Sequence, residues 1–176
     1  MIIQPFIRAQ KFKPLDNEKL IKAFKDYLNT HKCCPEHGTP KCEHPPEQSA
    51  PGALNIEDEE VKKLKKIYFD CLKEIFGDFT ILKTRSWILF CKKGDVIPNN
   101  WHIHYENVYR GFKQISGICY LTKTQVPTQF QDEHFLFETR PKLNHWYTWP
   151  SEIFHRPKTM DVENDRMIIA ADTVIH

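Results

Sequence analysis

His102, His104, Glu106 and His155 are the residues whose types and spacing suit a metal ion. In His104-Tyr105-Glu106 an imidazole and a carboxylate stand two positions apart. On a strand, where alternate side chains share a face, the pair would project together. With the distant His155 they make two imidazoles and one carboxylate, a facial set for non-haem Fe(II) that leaves open positions for a chelating ligand and dioxygen. His102 shares the same face by the same alternation, so two ligand sets stand open: His104 and Glu106 with His155, or His102 and His104 with His155. The first ranks ahead, because a hard carboxylate oxygen helps balance the charge of Fe(II). Each neutral imidazole would give one nitrogen to the metal, and its other nitrogen needs a partner elsewhere in the fold.

The elements that must position these residues fall into two halves. In the first, a helical lead-in over 1–78, Asp16 caps a helix carrying Leu20, Ile21, Phe24, Tyr27 and Leu28 on one stripe, ending near Asn29. Ile2, Ile3 and Phe6 ahead of it can add an edge strand. Residues 31–54 carry Pro35, Pro40, Pro45, Pro46 and Pro51 and read as one long loop. Asn55 is expected to open a second helix, with Glu57 and Asp58 in its first turn, Val61, Leu64, Ile67, Cys71, Leu72 and Ile75 as its buried stripe, and Gly77 as its stop. Lys62, Lys63, Lys65 and Lys66 form its solvated face.

From residue 79 onward the pattern is β. Expected strands cover Ile81 to Lys83, Arg85 to Lys92, Trp101 to Tyr105, Gln114 to Thr122, Phe135 to Glu138, Trp146 to Trp149 and Met167 to Ile175, with a turn at Lys93-Gly94-Asp95. Two helices followed by short strands describe an α+β domain whose β core, residues 79–176, closes as a barrel or a jelly roll. The chain reads as one domain, 1–176.

Composition narrows the function classes. The chain has 176 residues, 40% of them hydrophobic and 27% charged, a globular balance. Its 25 basic and 23 acidic side chains give a net charge of +2, too even to favour nucleic acid. No apolar run is long enough to span a membrane. The N-terminus lacks the features of a secretory signal, so a cytoplasmic setting is expected. Cys71, Cys91 and Cys119 sit in apolar segments and read as small buried hydrophobes.

From His104 to Leu121 the sequence resembles the second and third core strands of the prolyl-hydroxylase branch of the 2-oxoglutarate/Fe(II) oxygenases. In that family a His-x-Asp pair is followed by a strand ending in Tyr-Leu, then by a distal histidine and, further on, an Arg or Lys. The order and spacing of Glu106, Tyr120-Leu121, His155 and Arg166 are similar to that pattern. Trp149-Pro-Ser-Glu-Ile-Phe-His155 and Ser116-Gly-Ile-Cys-Tyr120 also resemble segments of small phage-encoded members. Two departures matter. The family usually has Asp where this chain has Glu106, and several phage members show a His-x-His pair, which would match His102-Ile103-His104.

The resemblance implies a double-stranded β-helix (jelly roll) with the two helices packed on its sheet. It implies Fe(II) held by His104, Glu106 and His155, and 2-oxoglutarate as cosubstrate with O2. Arg166 would bind the far carboxylate of the cosubstrate through a bidentate fork, and the hydroxyl of Tyr120 would support the same carboxylate. The implied reaction is oxidative decarboxylation of 2-oxoglutarate to succinate and CO2, coupled to hydroxylation of a C–H bond in a protein side chain, an amino acid or a small metabolite. Its setting would be the cytoplasm, or that of a host if phage-encoded. Trp146, Trp149, Phe130 and Phe135 are candidates for an apolar entrance, against the commoner role of aromatics as core. The rival reading is a non-catalytic jelly-roll module that binds metal or protein; a buried Arg166 facing the metal discriminates the two. Separately, Cys33, Cys34, His37, Cys42 and His44 could hold a structural zinc, although Cys34 and Cys42 are spaced beyond the usual short motif.

Overall fold

Asp16 opens the first helix, α1 (Asn17–Thr30), by accepting a hydrogen bond from the Lys19 backbone N–H at 3.2 Å. Leu20, Phe24 and Leu28 are its buried stripe. The second helix, α2 (Glu59–Phe76), begins later than expected. Its cap is Asp58, whose Oδ1 accepts from the backbone N–H groups of Glu60 and Val61 at 2.8 and 3.2 Å, while Ala53–Asn55 is a 3₁₀ turn. Gly77 closes the helix at a φ of 75°, where a side chain would be strained. On the outer face Lys62, Lys63 and Lys66 pair with Glu57, Glu60 and Asp70, so the lysine run is a solvated helix face. These elements come from a computed structural model that describes residues 7–32, 47–97, 100–132, 136–158 and 162–176.

Among the described residues there are nine strands in chain order: β1 (Arg8–Lys11), β2 (Glu47–Gln48), β3 (Ile81–Cys91), β4 (Lys113–Tyr120), β5 (Thr128–Gln131), β6 (Leu136–Glu138), β7 (His145–Pro150), β8 (Phe154–Pro157) and β9 (Arg166–Ile175). Six pair antiparallel in the order β1-β7-β4-β9-β3-β2, and three more in the order β6-β5-β8. The two runs expected around residue 84 join as β3, with an irregularity between Ile81 and Lys83. The end of the expected loop supplies β2, a two-residue edge strand on β3. Trp101 to Tyr105 is not a strand; His102 alone makes a bridge, to His155. The expected edge strand at Ile2, Ile3 and Phe6 and the candidate zinc ligands Cys33, Cys34, His37, Cys42 and His44 lie outside the described residues.

The six-stranded sheet has a different partner on each face. Met167, Ile169, Ala171 and Ile175 of β9, with Ile88 and Phe90 of β3 and Trp146 of β7, pack on Leu20, Phe24, Leu64, Tyr68 and Leu72 of the helices. On the other face Ile168 and Ala170 join Ile118, Tyr120, Tyr147 and Trp149 against Phe130 of the small sheet. All ten residues of β9 are buried because both its faces are covered. Cys71, Cys91 and Cys119 are free and buried, as expected. Trp146 belongs to the helix side, with its ring 4.6 Å from that of Tyr68, so it lines no entrance. The strand alternation that puts Trp149 on one face puts Trp146 on the other.

Candidate functional site

Three imidazoles converge on the inner face. One ring nitrogen from each of His102, His104 and His155 lies within 4.8 Å of the others. His155 comes from β8 and is buried. His102 is laid against it by two backbone hydrogen bonds, His102 N–H to His155 C=O at 3.1 Å and His155 N–H to His102 C=O at 3.0 Å. His104 is fixed by its own backbone N–H donating to the Ser151 carbonyl at 3.0 Å.

The second nitrogen of each ring has a partner. Nδ1 of His102 faces the Asn100 carbonyl at 3.0 Å, Nδ1 of His155 the Ile153 carbonyl at 3.0 Å, and Nδ1 of His104 the Asp172 carboxylate at 2.8 Å. All three partners are acceptors, so each ring carries a proton on Nδ1, and in its neutral form keeps the Nε2 lone pair free. Burial lowers the pKa of His155 to about 3, with His104 and His102 adding to the effect. Desolvation likewise lowers that of His102. Neutral rings with free Nε2 lone pairs are the form in which histidine binds metal. Nitrogens about 2.1 Å from one ion sit roughly 3 Å apart, so modest ring movements would close this cluster on a metal.

Glu106 is turned elsewhere. Its carboxylate pairs with Lys83 at 2.8 Å and with Arg85 at 3.1 Å, and it is not a member of the imidazole cluster. The alternation argument that grouped it with His104 needs a strand, and residues 103–106 are not one. Glu106 instead precedes a 3₁₀ turn (Asn107–Tyr109), with its backbone N–H held by Gln114 Oε1 at 2.8 Å. The carboxylate that touches the cluster is Asp172 of β9, which also accepts from Ser116 Oγ at 2.8 Å and from Arg85 Nη2 at 3.0 Å.

The cluster lines a cavity of about 430 Å³. Its walls are mainly apolar, with Trp87, Leu89, Ile118, Trp149, Ile168 and Ala170 among them, and no acidic side chain lines it among the described residues. Arg166, only 2% exposed, lines the same cavity. It begins the inner face of β9 on which Ile168, Ala170 and Asp172 follow. Its Nε has no hydrogen-bond partner, and no carboxylate pairs with its guanidinium among the described residues. A buried cation without a counter-charge is costly, and a bound anion would relieve it. Tyr120 lies beneath it, the guanidinium carbon 5.8 Å from the ring centre. Its hydroxyl is held by Thr128 and Thr139, each at 3.0 Å, and Tyr120 itself does not line the cavity.

Trp149 and Phe130 surround His155, with ring centres 4.9 and 6.2 Å away, so they back the cluster from the core. Phe135 lies outside the described residues. Sequence reasoning gave no role to Asp172, Ser116, Trp87, Asn100 or Arg85. The signal for Asp172 was present: an acid in an otherwise apolar strand, on the face of Arg166, must find donors if it is buried.

No family model and no curated protein matches the sequence. Solved structures do match. A prolyl-4-hydroxylase from Pseudomonas putida covers 96% of this chain and 92% of its own at 11% identity, with a TM-score of 0.65. A prolyl hydroxylase from Trichoplax adhaerens, solved with a hypoxia inducible factor peptide fragment, covers 96% and 83% at 12% identity and a TM-score of 0.64. A non-heme alpha ketoglutarate dependent carbocyclase from nogalamycin biosynthesis covers 96% and 79% at 10% identity and a TM-score of 0.67. At such identities the likeness speaks for the backbone: two helices on a mostly antiparallel sheet, in the fold of the 2-oxoglutarate/Fe(II) oxygenases that the sequence resembles.

Proposed function

We propose that this chain is a non-haem Fe(II)- and 2-oxoglutarate-dependent oxygenase that hydroxylates a C–H bond, its whole length forming one jelly-roll domain. The observation that carries the reading is Arg166, a buried cation with no carboxylate partner among the described residues, in the same cavity as three clustered imidazoles. A metal and a dicarboxylate satisfy both ends of that cavity at once. The solved structures it resembles include enzymes named for prolyl hydroxylation and for alpha ketoglutarate dependence.

In this reading His102, His104 and His155 hold the metal through Nε2, in place of the set with Glu106. Iron with 2-oxoglutarate and dioxygen supplies the oxidising power when bound. Arg166 binds the far carboxylate of the cosubstrate, and Tyr120 supports the guanidinium from below with its ring. Ile168 and Ala170, with Trp87 and Ile118 opposite Ala170 in register, wall the path between the two ends and keep water out. Asn100 and Ile153 hold the proton of His102 and His155 on Nδ1. The substrate class, a protein side chain, an amino acid or a small metabolite, follows from the resemblance alone.

Anaerobic titration with Fe(II) and then 2-oxoglutarate tests the proposal, followed by the weak visible charge-transfer band of the chelate. The band is expected to need both additions, to vanish in His155→Ala, and to need at least tenfold more 2-oxoglutarate in Arg166→Ala. Folded wild type that gives no band would sink the oxygenase reading. Metal uptake without any 2-oxoglutarate dependence would favour the non-catalytic module, since three histidines also suit zinc.

A further inference from the structure

Of the three imidazoles, His104 alone has a charged partner. His102 and His155 give their Nδ1 protons to backbone carbonyls, whereas His104 Nδ1 meets a carboxylate oxygen of Asp172 at 2.8 Å. That carboxylate is buried in β9 and hemmed in by donors. Ser116 Oγ donates to the same Oδ1 at 2.8 Å, and Arg85 Nη2 donates to Oδ2 at 3.0 Å. Two of the three partners arrive by strand register, Arg85 from β3 and Ser116 from β4, each directly opposite Asp172. Arg85 is itself anchored from behind by Glu106, and Ser116 by Ser151 at 3.0 Å. A carboxylate only accepts, so His104 facing it has one workable tautomer.

We propose that Asp172 is the positioning residue of the metal centre, holding His104 as the Nδ1–H tautomer with its Nε2 lone pair directed into the cavity. The proposal rests on reading His102, His104 and His155 as metal ligands. It explains why the motif carboxylate is dispensable: negative charge reaches the site one bond further out, through His104, and makes that imidazole a better donor.

The isosteric change Asp172→Asn tests it. Arg85 requires an acceptor at the Oδ2 position, so the new amide oxygen should turn there and its NH2 toward His104. His104 Nδ1 must then accept, and its proton moves to Nε2, where it blocks the metal. The tautomer of His104 is read in the metal-free protein by long-range 15N–1H NMR, and Fe(II) affinity by anaerobic calorimetry. Wild type should show Nδ1–H and Asp172→Asn should show Nε2–H, with Fe(II) affinity reduced about 10- to 100-fold. Ser116→Ala, which removes a donor and leaves the carboxylate, should keep the wild-type tautomer. An Nε2–H tautomer in wild type overturns the proposal whether or not the variant folds. So does a folded Asp172→Asn variant with unchanged tautomer or unchanged Fe(II) affinity. If wild type takes up no Fe(II), the metal reading fails, and the tautomers, measured without metal, still decide what Asp172 does to His104.

Discussion

A carboxylate two positions beyond a histidine has the right type for the site, and its neighbours take it away. Lys83 and Arg85 project from β3 toward Glu106 and form two ion pairs with it, while His102 turns its ring to within 5.1 Å of His104. The ligand set with His102 therefore predicts opposite outcomes for two substitutions. Glu106→Gln should bind Fe(II) with wild-type affinity and lose under about 1 kcal/mol of stability, because the pairs it breaks are partly exposed. His102→Ala should lose at least tenfold in affinity in the same anaerobic calorimetric titration. The reverse result would restore Glu106 as the ligand. The sequence carried the residue types here: His104, His155 and Arg166, singled out through the resemblance, line one cavity. The direction of Glu106 was not legible, because it is decided by cations that reach it from another strand. Asp172 was legible only as an acid in an apolar strand that needs donors; which donors reach it depends on register with β3 and β4.

At the level of elements, legibility follows how local the determinants are. The apolar stripes of α1 and α2 repeat within the chain, and Asp16 caps its own helix three residues on, so both helices could be read directly. The start of α2 could not, because Asn55 and Asp58 are both good caps and only the geometry of the preceding 3₁₀ turn separates them. Asp58→Ala should thus cost about 1 kcal/mol of unfolding free energy. Asn55→Ala, which removes only an exposed contact with Lys65 Nζ, should cost a few tenths by the same denaturant titration. Equal losses would contradict the assigned cap. Residues 102–105 alternate as a strand would, yet they run as irregular backbone pinned at His102 and His104. Short β5 and β8 lack enough residues for a period, and exist because they pair with each other.

Across the whole molecule, the two faces of the six-stranded sheet divide the work. The helix side is apolar and needs no ligand, whereas the cavity side holds three clustered imidazoles, His155 buried among them, and a buried cation that hydrophobic packing alone would not retain. That division makes the metal-free protein sensitive to acid. The folded state keeps His155 neutral down to about pH 3, whereas the unfolded chain protonates the same ring near pH 6.5. Between those values the unfolded state binds the extra proton, so the stability tied to this ring is fully present above pH 6.5 and is lost as pH falls toward 3. The loss should approach roughly 1 kcal/mol per pH unit, with His102 adding to it in the same direction. Urea unfolding from pH 7.5 to 4.5, compared with His155→Gln, isolates this ring from the carboxylates that titrate in both proteins. The variant should show the shallower decline, and parallel curves would mean that His155 is not held neutral by the fold. Because burial already favours the neutral form of His155 and His102, these two rings should add less pH dependence to Fe(II) affinity between pH 7 and 5.5 than solvated histidines, whose protons must first be displaced. A cavity that keeps His155 neutral before the metal arrives spends part of its folding stability on that readiness, and binding of metal and dicarboxylate is the event that returns it.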